Sequence, residues 1–278
     1  MMKKIWKTNC CVLLCLVLFL TGCSGTTATK LKAVEPVKLV EEEVNEAPVV
    51  MNNTKKFNEK TLYEYYSENE DTIGWLKIDG IKTDHVVMLG QKNKNYERGR
   101  DGQNHYLEYN FNHDASSYGE LYIDHRCRIT ESYMSQNMTV YGHHMRDGTM
   151  LAGLDHYKKQ SFFEEHPYIT FDTLWGTYHF KVFGVFTVNL KVKKDADFDD
   201  RQADYVSEEV FLEFMAEVKE RSYYDTGVEV KGNDRIITLS TCTYPTGNPS
   251  VDNARLVVMG RLCTAEEEAE ITAASQQS

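Results

Sequence analysis

The chain has 278 residues, 41% of them hydrophobic and 12% aromatic, which is the composition of a globular protein with enough apolar material for one large domain or two small ones. A formal net charge of -11 without any basic stripe argues against a nucleic-acid partner. The acidic runs Glu41-Glu42-Glu43 and Glu266-Glu267-Glu268 read as solvated faces rather than binding sites.

In chain order, Met1 to Lys7 carries Lys3, Lys4 and Lys7 and is followed by the apolar run Cys10 to Leu20. This is a charged segment ahead of a hydrophobic one that is shorter than the roughly 20 residues needed to cross a bilayer, so it implies export. The run ends Leu20-Thr21-Gly22-Cys23, which resembles a bacterial lipobox in which Cys23 receives lipid after cleavage before it; the competing reading is an uncleaved signal anchor. In both, residues 1–23 leave the protein attached through its N-terminus on the outer face of a membrane. Residues 24–56 are polar and lack a convincing period, so they read as a flexible tether of roughly 30 Å root-mean-square span, with a partial helix over Val34 to Val50 as the alternative. Residues 57–264 are expected to form the folded domain and 265–278 a polar tail.

Within that domain, Phe57 to Asp71 reads as a helix, with Leu62, Tyr65 and Tyr66 at near-helical spacing, and Gly74 and Trp75 mark the change to a strand. Strand-like runs follow at Trp75 to Asp79, His85 to Leu89, Gly119 to Asp124, Met138 to Tyr141, Tyr168 to Phe171 and Tyr178 to Val188. So many short strands with few helices point to a closed antiparallel barrel. Thr149 to Phe163 reads as a short helix. Val206 to Arg221 is the clearest amphipathic helix: Val206, Val210, Phe214 and Val218 repeat every four residues beside Phe211 and Met215, and Ser207, Glu208 and Glu209 suit an N-terminus.

The last two runs, Arg235 to Tyr244 and Ala254 to Leu262, are β-branched and aliphatic, with Pro245, Gly247, Asn248, Pro249, Asp252 and Asn253 between them. Read as neighbouring antiparallel strands, they put Cys242 and Arg255 on one rim. Of seven cysteines, Cys10, Cys11 and Cys15 lie in the apolar N-terminal run, and Cys23, Cys127, Cys242 and Cys263 remain. No disulfide framework is visible, and lipidation of Cys23 would leave an odd number, hence a free thiol. The absence of CxxC or HExxH spacing gives no reason to expect a metal. Cys127 and Cys263 read as small buried hydrophobes. Cys242 enters a Gly/Pro-rich loop after Ser240 and Thr241, so by position alone packing and nucleophilic roles stand even. Among nine histidines, His143 and His144 stand apart, because Gly142 lets the backbone approach closely at a strand end.

Thr238-Leu239-Ser240-Thr241-Cys242 resembles the TLxTC signature of sortases, the cysteine transpeptidases of Gram-positive cell surfaces. Tyr141-Gly142-His143 matches the family's histidine, and Ala254-Arg255-Leu256-Val257-Val258 its arginine. Asp71 to Ile78, Tyr106 to Phe111, Gly119 to Asp124 and the helix-forming stretch before the cysteine strand resemble class B members. The resemblance spans about residues 57 to 263; the segment between Cys242 and Arg255 looks longer than usual for the class.

The resemblance implies a mainly β fold, a closed eight-stranded sortase-type barrel with an N-terminal helix and a helix before the cysteine strand. It also implies cleavage of a C-terminal sorting motif after threonine, a thioester on Cys242, and transfer of the threonine carboxyl to an amine of peptidoglycan precursor. Class B motifs tend to begin Asn-Pro, and clients serve haem or iron uptake, pili or adhesion. The residue types suit the chemistry: a thiolate carries an acyl group well, His143 moves the protons, and an arginine that cannot lose its charge stabilises an oxyanion. Ser240 and Thr243, flanking the nucleophile, are expected to touch substrate. No cofactor is implied; some sortases respond to calcium, and no dedicated site for it stands out here. Two other classes remain. One is a non-catalytic surface lipoprotein or binding module on the same barrel. The other is a different acyl-transfer enzyme such as an L,D-transpeptidase or papain-like peptidase, against which the lack of a His-Gly-Cys type motif and the match at Arg255 both argue.

Overall fold

Eight strands supply the core: β1 (Thr72–Lys77), β2 (Asp84–Leu89), β3 (Leu121–Ile123), β4 (Asn137–Tyr141), β5 (Tyr168–Thr173), β6 (Thr177–Asn189), β7 (Ile236–Thr243) and β8 (Ala254–Leu262). The computed structural model describes residues 53–90, 105–196, 198–248 and 252–276. The expected signal sequence, the lipobox with Cys23 and most of the expected tether lie outside the described residues.

The strands close into a barrel in the order β8-β6-β5-β1-β2-β3-β4-β7, with β7 hydrogen-bonded back to β8. Strand side chains alternate between two faces, and here both faces are covered. Leu76, Val87, Val140, Phe171, Ile237, Leu239, Leu256 and Val258 fill the interior. Trp75, Val86, Met88, Tyr122 and Tyr141 form one outer cluster with Leu62, and Phe186, Val188, Ile236, Val257 and Met259 form another with Phe211, Met215 and Val218. Double coverage explains why β6 from Val182 to Phe186 and β8 from Leu256 to Met259 read as continuous apolar runs rather than alternating ones.

The barrel is closed as expected but not wholly antiparallel: β2 pairs with β3, and β4 with β7, in parallel. Each parallel pair is joined by a long excursion, which parallel strands require. Hydrophobic period carries no information about strand direction, so this was invisible in the sequence.

The expected helix over Phe57 to Asp71 is shorter, because its first residues form a hairpin. Lys56–Phe57 pairs with Lys60–Thr61 around Asn58 and Glu59, which take positive φ values of 48° and 70°. Helix α1 (Leu62–Glu68) then starts from a capping box in which Thr61 accepts from the Glu64 backbone N–H and the Glu64 side chain caps Thr61 in return. Phe57 stacks on Trp75 at 4.9 Å, Lys55 pairs with Asp172 at 2.7 Å, and Asn53 Nδ2 donates to the Thr173 carbonyl at 2.8 Å. The end of the expected tether is therefore fastened to the barrel.

Instead of one helix over Thr149 to Phe163 there is a 3-10 helix, Ala152–Lys158, followed by an α-helix, Gln160–Glu165. Helix α2 (Glu208–Arg221) begins after Ser207, whose hydroxyl accepts from the Val210 N–H. Its buried stripe is Phe211, Met215 and Val218; Val206, placed on the apolar face by the sequence pattern, precedes the cap and is 88% exposed. Residues expected as a polar tail form helix α3 (Ala265–Ser275), capped by Thr264 and Glu267. Glu267 and Glu268 are not merely solvated: Glu267 pairs with Arg261 at 2.7 Å and Lys181 at 3.2 Å, and Glu268 with His179 at 2.8 Å.

Candidate active site

The site is built around β7, which lies between β4 and β8. In the antiparallel ladder Arg255 is the partner of Cys242. In the parallel ladder Tyr141 is the partner of Ser240, and two residues further along each chain stand His143 and Cys242. The two chains stay joined past the ladder, because the Thr241 hydroxyl donates to the Gly142 carbonyl at 2.8 Å. A Cβ at position 142 would lie 2.4 Å from the Leu121 side chain and 3.0 Å from that of Leu151, so any larger residue would have to displace these buried leucines. Cys242 is thus bracketed by His143 on one neighbouring strand and Arg255 on the other.

Strand parity assigns the face. Cys242 is in step with Ile236, Arg255 with Val257 and Met259, and His143 with Tyr141, all of which lie in the outer clusters. The three side chains share the outer wall of the barrel at one rim, and each is partly exposed.

His143 Nε2 lies 2.7 Å from the Leu107 carbonyl oxygen. A carbonyl only accepts, so Nε2 carries the proton and Nδ1 is the nitrogen that can give or take one. Leu107 belongs to the helical turn His105–Glu108, so a segment distant in sequence orients the imidazole. His144 is engaged differently: its Nε2 is 2.8 Å from Asp155 Oδ2, and its ring meets that of Tyr244 edge-on at 5.6 Å. Asp155 also pairs with Lys158 at 2.7 Å, and Lys158 Nζ donates to Thr243 Oγ1 at 2.9 Å. Burial works to raise the Asp155 carboxyl, but His144 and Lys158 outweigh it and lower it to about 2.

Ser240 and Thr243, expected as substrate contacts, are 3% and 1% exposed, and the Thr243 hydroxyl is committed to Lys158. Sequence reasoning passed over three groups. Leu107 acts from a short helical turn and Asp155 from the 3-10 helix, and nothing local in the chain marks either as a partner of a histidine. Tyr244 follows the signature by two residues; burial raises its phenol, and the adjacent Cys242 sulfur adds to the effect.

The other described thiols are set apart chemically. Cys127 is buried, and its Sγ donates to the Asn137 carbonyl at 3.3 Å. Desolvation pushes it up to about 12, and desolvation with Glu267 and Glu268 pushes Cys263 up to about 12 as well. Neither can supply much thiolate at neutral pH. One cleft is lined by Leu107, Glu108, Ser116 and His143, and another by His144, Arg146, Asp155, His156 and Tyr244. Among the described residues, no cluster of three or more His, Cys, Asp or Glu could hold a metal, and no helix is long and apolar enough to cross a membrane.

A family model for the sortase domain matches residues 76–263. Sortase B of Listeria monocytogenes is 29% identical over 196 residues, covering 70% of this chain and 71% of that protein. Sortase B of Staphylococcus aureus is 31% identical over 174 residues, covering 63% and 64%. In structure, the chain resembles the S. aureus sortase B-substrate complex with a TM-score of 0.61 at 28% identity, over 73% of this chain and 85% of that one. It resembles Clostridium perfringens sortase B equally, with a TM-score of 0.61 at 28% identity, over 73% and 99%. With its eight strands closed in this order and the TLSTC stretch on β7, the chain belongs to the sortase family, the cysteine transpeptidases of cell-wall sorting, and its relatives there are of class B.

Proposed function

We propose that this sortase cleaves a C-terminal sorting motif after its threonine, holds the threonine as a thioester on Cys242, and passes it to an amine of peptidoglycan precursor. The observation that carries the reading is the register that brackets Cys242 between His143 and Arg255 on one outer rim. Related sortase B structures are described with a substrate and with triglycine, and we extend to this chain the use of a sorting peptide and an amine.

The Cys242 thiol gives its proton to His143 Nδ1 as its sulfur attacks the threonine carbonyl, forming a C–S bond and a tetrahedral oxyanion faced by the Arg255 guanidinium. Collapse of that intermediate breaks the peptide C–N bond, and His143 protonates the departing amine from Nδ1. The acceptor amine then attacks the thioester and gives its proton to His143, and the sulfur leaves. Incubating the protein with a panel of sorting peptides, including Asn-Pro motifs, should give cleavage and an acyl adduct on Cys242 in intact-mass spectra. Cys242→Ala should abolish both. A wild-type protein inert to the whole panel would favour a non-catalytic binding module on the same barrel.

We also propose that the N-terminus holds the enzyme on the outer face of the membrane through lipid on Cys23. The sequence Leu20-Thr21-Gly22-Cys23 after a short apolar run supports this. Cys23→Ser should move the protein out of the detergent phase in a partition assay; an unchanged partition would favour an uncleaved signal anchor.

A further inference from the structure

The chain leaving His143 and the chain leaving Cys242 are tied together by groups outside the reacting set. Asp155 holds His144, the residue after His143, at 2.8 Å through one oxygen and Lys158 at 2.7 Å through the other. Lys158 in turn donates to Thr243, the residue after Cys242, at 2.9 Å. The His144 ring abuts Tyr244, so the second residue after Cys242 is held from the same carboxylate. The connection therefore runs Cys242-Thr243, Lys158, Asp155, His144-His143, with Asp155 as its centre.

We propose that Asp155 is a positioning residue: acting through His144 and Lys158, it sets how closely the His143 imidazole meets the Cys242 sulfur. This rests on His143 and Cys242 being the reacting pair. Three features support a role beyond holding the fold. The Asp155 and Lys158 side chains are 41% and 36% exposed, and ion pairs so exposed add little to global stability. Thr243 is buried, so Lys158 reaches from the surface to a fixed point beside the nucleophile. Arg146 and His156 line the same cleft as Asp155 and His144, so the carboxylate shares that cleft with a fixed cation and two imidazoles.

The test compares Asp155→Asn, Lys158→Met, Lys158→Arg and the Asp155→Asn/Lys158→Met double variant in the full-length protein. The first readout is kcat and KM on whichever panel peptide the wild type cleaves. The second needs no substrate: the rate of Cys242 carboxamidomethylation by iodoacetamide from pH 5 to 9, followed by intact mass. Asp155→Asn and Lys158→Met should each lower kcat about tenfold to a hundredfold with KM nearly unchanged, as small misplacements of reacting groups do. The double variant should be no worse than the more severe single one, Lys158→Arg should retain most of the rate, and the melting temperature should hardly move. Asp155→Asn should also shift the pH profile of alkylation. Unchanged kcat, additive losses, losses that track melting temperature, or superimposable alkylation profiles would each overturn the proposal. If the wild type cleaves no peptide, the transpeptidase reading fails while the alkylation profiles still decide whether Asp155 acts on the pair.

Discussion

Cys242 differs from the other described thiols in its neighbours. Three thiols are free among the described residues, and two are raised to about 12 by burial, assisted at Cys263 by two glutamates. Iodoacetamide at pH 7 should therefore label Cys242 in the folded protein and leave Cys127 and Cys263 unmodified until denaturant is added; equal labelling of all three would contradict this environment. The two adjacent histidines differ in the same way. His143 is oriented by a carbonyl that specifies its tautomer, whereas His144 is engaged by a carboxylate. His143→Ala should lower turnover by on the order of 10² to 10⁴, the usual span for general acid–base catalysis, and His144→Ala by less. An equal loss from both substitutions would leave the acid–base assignment open to His144.

The elements show why local pattern is a good guide to where strands lie and a poorer one to helix ends. Helix α2 was legible from its period, but Ser207 as cap decides where it starts, and that start excludes Val206 from the packed face. Helix α3 was missed because none of its residues is buried and its sequence has no apolar stripe. It is held instead by Arg261, Lys181 and His179 through Glu267 and Glu268. Burial opposes ionisation of Glu267, but Arg261, the Thr264 backbone and Lys181 prevail and lower it to about 2. A carboxyl depressed in the fold contributes stability above its ordinary range near 4.5 and loses it as pH falls toward 2. The melting temperature should drop across that window, and Glu267→Gln should both lower it at pH 7 and make the acid drop shallower, as followed by circular dichroism.

At the scale of the molecule, the interior of the barrel and the wall carrying the rim are made by the same strands. Leu239 fills the interior on the strand that presents Cys242. Leu239→Ala should cost about 2–5 kcal/mol by denaturant titration, the usual range for a cavity of that size in a packed core, and loss of turnover should follow the loss of folded protein. Much was already present in the sequence. The positions of the strands follow from β-branched and aliphatic runs between loop formers, and the TLSTC stretch, Gly142-His143 and Arg255 stand out along the chain. These are local properties, set by side-chain shape, period and turn chemistry, and a linear string contains them. Only the tertiary structure decided that β4 lies parallel to β7, which joins Thr241 to Gly142 across 99 residues. Only it decided that the Leu107 carbonyl orients His143 and that Asp155 links the chains on either side. Those relations depend on strand direction and on which loops the closed barrel brings to one rim, and no periodicity along the chain encodes either.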